Sequence, residues 1–185
     1  FGVTSYFYFG RRYFAPELKL QNYIAVQEQI ISHEVTAEDK EILQGLTDCN
    51  FESMELLARR LSLPASTVKF RVRRLLENKV VNGITLNLRS VPPGVSVFRV
   101  LLYLGGSRAE VLDHLISFAK KDPRVVYIVQ TLGAWDYELQ YETLHDKDML
   151  TLKSDLVKVL GTTLREVSIL PVLAMKKIAR YTIES

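Results

Sequence analysis

The chain holds a single cysteine, Cys49, among 185 residues. A disulfide within the chain is therefore excluded, as is a zinc cluster built on several cysteines, and this usage fits a reducing cytoplasm. No apolar run approaches the ~18 residues that a membrane-spanning helix requires. The first residue is Phe1, and no basic segment, apolar stretch and small-residue cleavage site follow it. A signal peptide is not expected, and the chain reads as continuing from a preceding segment. Histidine is scarce too: His33, His114 and His145 stand far apart, without a helical pair or a ligand spacing. A phosphate loop, an H-E-x-x-H zinc signature and a G-x-S-x-G nucleophile elbow are all missing. These absences lead us to expect no catalytic site, no metal and no cofactor.

What is present can build a core. Hydrophobic residues make up 48% and charged residues 24%, the balance of an ordered chain. The length suits one large domain or two small ones. A net charge of +3 identifies no partner by itself, so the placement of charge matters more.

Residues 1–35 read as an extended arm, or the remnant of a preceding segment. "VTSYFYFGRRYF" and "LKLQNYIAVQEQII" are aromatic and β-branched, with Gly10 and Pro16 as breakers. Two such strands cannot stand alone, so the arm must dock on the next domain or on a partner subunit. From residue 36 the pattern becomes helical. Thr36 with Asp39 three residues on approximates a capping box ahead of Ile42, Leu43 and Leu46. Ser53 is placed to cap a second helix with Leu56, Leu57 and Leu61 inward. After "SLPAS", a third helix carries Val68, Val72, Leu75 and Leu76 at helical spacing. "VVNGITLNL" reads as a short hairpin around Asn82-Gly83. Helix, helix, tight turn, helix, hairpin is the order of a winged helix-turn-helix over residues 36–90.

"SVPPG" (90–94) opens a second unit, residues 91–178, with a βαββαβ rhythm and a short tail at 179–185. "VSVFRVLLYLG" is almost continuously apolar, as a central strand buried on both faces would be. One amphipathic helix turns Val111, Leu112, Leu115, Ile116 and Ala119 inward, with Ser107 as its expected cap. The other uses Met149, Leu152, Leu156 and Leu160 and stops at Gly161. Pro171 interrupts the last strand and places it at a sheet edge. The fold class is therefore α+β: an N-terminal winged helix-turn-helix followed by a ferredoxin-like βαββαβ domain, preceded by an extended arm. In "TLGAWDYELQYET", Tyr137, Leu139 and Tyr141 alternate with Glu138, Gln140 and Glu142, the pattern of a half-buried strand with a polar outer face. Its acids are better read as that face than as an acid–base pair.

Between Arg59 and Lys79 lie seven bases and one acid, a local charge of +6 and the electrostatic mark of nucleic acid binding. With Val68, Val72 and Leu75 inward, Ala65, Ser66, Lys69 and Arg73 should lie on the outer face. Ser66, Thr67 and Lys69 near the helix start are placed to meet base edges. Arg59, Arg60 and Arg74 are placed for phosphates, which position a protein without reading sequence.

The run from "EDKEILQGLTDCNFESMELLARRLSLPASTVKFRVRRLLENKVVNGI" through "TLGAWDYELQYET" resembles the Lrp/AsnC (leucine-responsive, feast/famine) transcription regulators. The likeness spans residues 36 to about 178, with "RVRRLLENKVVNGI" and "GAWDY" its most specific parts. It implies a sequence-specific regulator of double-stranded DNA, a dimerising, ligand-sensing RAM domain, homodimers that assemble into tetramers or octamers, and an amino acid as effector. It also implies that the corner Gly133, Ala134, Trp135 and Asp136 borders the interface where effectors bind. Three departures bear on the operator more than on the fold. Pro64 precedes the third helix where a small capping residue is usual. Lys79 replaces a glycine, leaving Asn78 as the expected left-handed cap, and "VKF" (68–70) matches no base-reading pattern. Two other readings stand beside this one: an interaction module of the same architecture without DNA binding, and a haem-pathway decarboxylase-like relative.

Overall fold

The computed structural model describes residues 2–14, 23–27, 34–47, 52–83, 91–106, 110–145 and 147–173. These group into two compact units. One lies within Phe1–Glu28 and Thr85–Met175, the other within Gln29–Ile84.

The second unit is built of three helices, α1 (Ala37–Thr47), α2 (Met54–Arg60) and α3 (Ala65–Glu77). The capping box forms at α1. The Asp39 amide donates to Thr36 Oγ1 at 3.2 Å, and the Thr36 amide donates to Asp39 Oδ2 at 3.1 Å. Ser53 caps α2 by accepting from the Leu56 amide at 3.1 Å. Ile42, Leu57, Ala58, Val68 and Val72 form the core. Gly45 lies where α1 meets α2, and a Cβ there would collide with Leu57 Cδ1, so the glycine permits the close approach. Leu56 was expected inward but is 42% exposed; Ala58 takes its place in the core, because the short α2 turns its 57–58 edge inward. The left-handed residue after α3 is Lys79 (φ 60°), not Asn78. Asn78 stays near helical φ and ψ, and its side-chain amide donates to the Arg74 carbonyl at 2.8 Å, so the reversal falls one residue later. Most of the hairpin expected over "VVNGITLNL" falls outside the described residues.

In the first unit, β3 (Ser96–Leu104), α4 (Val111–Lys121), β4 (Val125–Leu132), β5 (Tyr137–Thr143), α5 (Asp148–Leu160) and β6 (Leu164–Pro171) follow the expected βαββαβ order. The arm contributes β1 (Gly2–Tyr8) and β2 (Ile24–Gln27) to the same sheet, whose strand order is β2-β1-β4-β5-β3-β6, antiparallel throughout. Pro171 indeed lies on an edge strand, where its missing N–H breaks no ladder. On the other side β1 pairs along β4, which would have been the opposite edge. Helices α4 and α5 cover the face carrying Val100, Leu102, Ile128, Leu139 and Tyr141. The expected cap Ser107 lies outside the described residues.

The link after β1 fastens the arm. Arg12, buried, donates to the carbonyls of Ala119, of Lys120 at 3.1 Å and of Asp122 at 3.0 Å. A guanidinium thus satisfies the orphan carbonyls at the C-terminus of α4 and sits at the negative end of its dipole.

The half-exposed β5 is corrected by the structure: all seven of its residues are buried. On the face away from the helices, Glu138 meets Tyr127 Oη at 3.1 Å and Arg99 Nη1 at 2.9 Å. Glu142 accepts from Arg11 Nε at 2.7 Å and Nη2 at 3.0 Å, and from Tyr13 Oη. Each acid is sheltered by an arginine and a tyrosine rather than by water. Burial, and then the Glu142 carboxylate, raise the Tyr13 phenol well above its ordinary pKa.

Candidate nucleic-acid interface and effector corner

Helix α3 follows α2 through a tight turn in which Ser62 takes a left-handed conformation (φ 56°). The Ser62 and Leu63 amides close back on the carbonyls of Arg59 and Ala58, at 3.1 and 2.9 Å, so the turn seals the end of α2. Pro64 precedes α3 without a side-chain hydrogen bond of its own. Val68, Val72 and Leu75 bury one stripe of the helix. Ser66, Lys69 and Arg73 are exposed as expected, and Thr67 is half-buried. Ala65, expected on the outer face, packs against the core instead, because it lies one turn before Val68 and two turns before Val72 on the same side.

The seven bases divide into classes that composition could not separate. Arg71 pairs with Glu38 and, at 3.0 Å, with Asp39; Arg74 reaches Asp39 at 3.3 Å. Both are thus directed at α1. Lys69 pairs with Glu55 at 2.6 Å, but both groups are more than half exposed, so this bond is weak and readily exchanged. Arg59, Arg60 and Arg73 are exposed, and no carboxylate pairs with Arg59 or Arg73 among the described residues. The "VKF" stretch, which matches no base-reading pattern, places a large side chain outward: Phe70 is 64% exposed on this basic helix. Its signal was available, since it sits two residues from Val68 and from Val72 and so cannot share their stripe.

The corner before β5 is held by backbone bonds. The Asp136 amide donates to the Leu102 carbonyl at 2.9 Å, and the Asp136 carbonyl accepts from the Thr131 amide at 3.0 Å. The Asp136 carboxylate accepts from the Leu104 amide at 2.7 Å, and Thr131 Oγ1 donates to the Trp135 carbonyl at 2.6 Å. Gly133 and Ala134 are exposed at the tip, while Trp135 and Asp136 are half-buried. Among the described residues no group of three His, Cys, Asp or Glu could hold a metal, and no helix is long and apolar enough to cross a membrane.

No family model matches the chain. An uncharacterised HTH-type transcriptional regulator of Pyrococcus furiosus is 26% identical over 116 residues, covering 60% of this chain and 75% of the relative. The solved structure of E. coli AsnC matches with a TM-score of 0.58 at 16% identity, over 82% of this chain and 99% of that one. A feast or famine regulatory protein of M. tuberculosis, complexed with L-methionine, matches with a TM-score of 0.63 at 18% identity, over 79% and 97%. The chain has the fold of the AsnC and feast or famine regulators.

An AsnC-type fold accounts for the βαββαβ sheet with two helices on one face. About a fifth of this chain falls outside those matches, although the matched structures are covered almost end to end. In this chain the basic residues expected at 59–74 gather on two consecutive helices, α2 and α3, whereas Gly133–Asp136 forms a separate corner of the sheet unit.

Proposed function

We propose that the protein is a sequence-specific DNA-binding transcription regulator of the Lrp/AsnC type, acting without enzymatic chemistry. The observation that carries this reading is the outward face of α3, where Ser66, Lys69 and Arg73 stand exposed on the helix that follows a tight turn. In this reading residues 36–90 are a winged helix-turn-helix and α3 enters the major groove. Arg59, Arg60 and Arg73 meet the duplex directly, and Arg74 does so only by leaving Asp39. The related HTH-type regulator supports the assignment. Double-stranded DNA is the partner and the cytoplasm the setting.

Homodimerisation belongs to the sheet unit. The face opposite α4 and α5 carries Leu101 and Val129 centrally, with Val26 and Leu170 exposed toward its two edges. A single helix layer leaves such a face for a second copy. Two α3 helices would then read half-sites about 34 Å apart. A salt titration tests the reading. The chain should bind a duplex at low salt and lose affinity steeply as salt rises, and Arg59→Ala with Arg73→Ala should flatten the slope by about two. Unchanged binding in that double variant would favour the interaction-module reading.

We also infer that Gly133–Asp136 contacts an amino-acid effector through its exposed tip, while the Asp136 carboxylate fixes the corner by its bond to the Leu104 amide. The L-methionine held by the structural relative supports an amino acid as the ligand class. Calorimetry with L-amino acids should find a ligand whose affinity falls at least tenfold in Asp136→Ala; equal affinity would return the corner to a purely structural role.

A further inference from the structure

The basic helix carries an apolar side chain where a DNA-contacting face would be most deeply inserted. Single exposed hydrophobics are ordinary, so the 64% exposure of Phe70 means little alone. Its angular position means more. Each residue of a helix advances about 100°, and Val68, Val72 and Leu75 mark the buried stripe. Phe70 lies about 180° from the middle of that stripe by the same rotation. With Glu77 at the far end of the helix, it is therefore one of the two side chains of α3 that point most directly away from its own core, and the one near the helix middle.

Its helical neighbours, three and four residues away, are Ser66, Thr67, Arg73 and Arg74. Hydroxyls flank the ring on the N-terminal side and guanidiniums on the C-terminal side. Arg74 is turned toward Asp39, leaving Arg73 beside the ring as the exposed cation. This is a small apolar island in a positive, hydrogen-bonding surface. A protein partner fitted to it would need an apolar pocket rimmed by acids. A duplex offers the same complement: phosphates for the rim and, in the major groove, one apolar feature, the thymine 5-methyl group.

We propose that Phe70 reads thymine by packing on its 5-methyl group in the major groove. A phenyl ring cannot hydrogen-bond a base edge, so it contributes preference only through that methyl and by exclusion of the polar exocyclic groups elsewhere. The base-reading set of α3 is thus Ser66, Lys69, Phe70 and Arg73, with Phe70 at its centre. This inference rests on the DNA-binding reading above.

Deoxyuridine differs from thymidine at the base by that methyl alone, and it provides the test. A duplex selected by the wild-type chain from a randomised library is resynthesised with each half-site thymine replaced in turn by deoxyuridine. At one position or more, wild type should bind the thymine form about fourfold tighter, the effect of burying one methyl group. In Phe70→Ala that ratio should fall to about one, while Phe70→Leu keeps part of it. Binding of Phe70→Ala to an arbitrary duplex at low salt should persist, because the phosphate contacts remain. No deoxyuridine effect in wild type, or an unchanged ratio in Phe70→Ala, overturns the thymine assignment and leaves DNA binding intact. Failure of wild type to bind any duplex at low salt overturns both. A Phe70→Ala variant that changes oligomeric state but not the ratio assigns the ring to a protein contact instead.

Discussion

Asp39 in the helical unit and Glu142 in the sheet unit are both fully buried carboxylates, each gripped by arginine and hydroxyl donors. Asp39 takes Thr36 and then Arg71 and Arg74; Glu142 takes Arg11, Tyr13 and Gln140. The chemistry is alike, but the range differs. Thr36 is three residues from Asp39, and its arginines come from 32 and 35 positions on. The partners of Glu142 in the arm lie 131 and 129 positions away. Asp39 organises a helix start that would form in part without it. Glu142 holds a segment to the sheet across most of the chain, where closing the loop costs more entropy and local structure supplies less help. A buried carboxylate contributes according to what else would hold its partners in place.

Removing Glu142 should therefore have the larger effect. In Glu142→Ala, Arg11 and Tyr13 lose their acceptor while remaining largely covered, at a cost of about 3 kcal/mol. Trp135, the single tryptophan, precedes β5, so its fluorescence reports the sheet unit. The fluorescence-detected melt should shift down by several degrees, and trypsin should cleave after Arg11 faster than in wild type. A loss below about 1 kcal/mol with unchanged trypsin resistance would make the pair a surface contact in energetic terms and erase the contrast with Asp39.

The same contrast explains what was legible in the sequence. The capping box at Thr36, the Ser53 cap, the inward faces of α4 and α5 and the edge position of Pro171 all follow from residues within a turn or a strand of one another. The burial of β5 does not. Glu138 and Glu142 read as a solvated face because the arginines and tyrosines that shelter them come from other strands and from the arm. The arm itself could be read as extended but not assigned a place, since strand pairing with β4 leaves no short-range mark. For the candidate interface, charge was legible and its availability was not. Seven bases could be counted between Arg59 and Lys79, but Glu38, Asp39 and Glu55 decide which remain exposed and uncommitted. The outward direction of Phe70 was legible from helical spacing, since it lies two residues from both Val68 and Val72, but its "VKF" context carries no base-reading pattern.

Asp39→Asn should give the smaller effect, and one that depends on pH. Burial by itself would raise the Asp39 carboxyl; the Thr36 hydroxyl and amide together with Arg71 outweigh it and hold the group below the ordinary carboxylate range. A folded-state value below the unfolded one means that the charged form stabilises the fold. That contribution is fully present above the unfolded value of about 3.9 and is lost as pH falls through the folded value. At neutral pH, Asp39→Asn keeps an acceptor for Thr36 but presents its NH2 group to an arginine, which should cost about 2 kcal/mol. As pH drops below about 4, wild type should lose this advantage and the two melts should converge. Circular dichroism melts of the two variants at neutral and acid pH measure the gap. A gap between variants that stays constant into acid would mean that Asp39 acts by shape alone, so that the charge shared with Arg71 and Arg74 adds nothing to the helical unit.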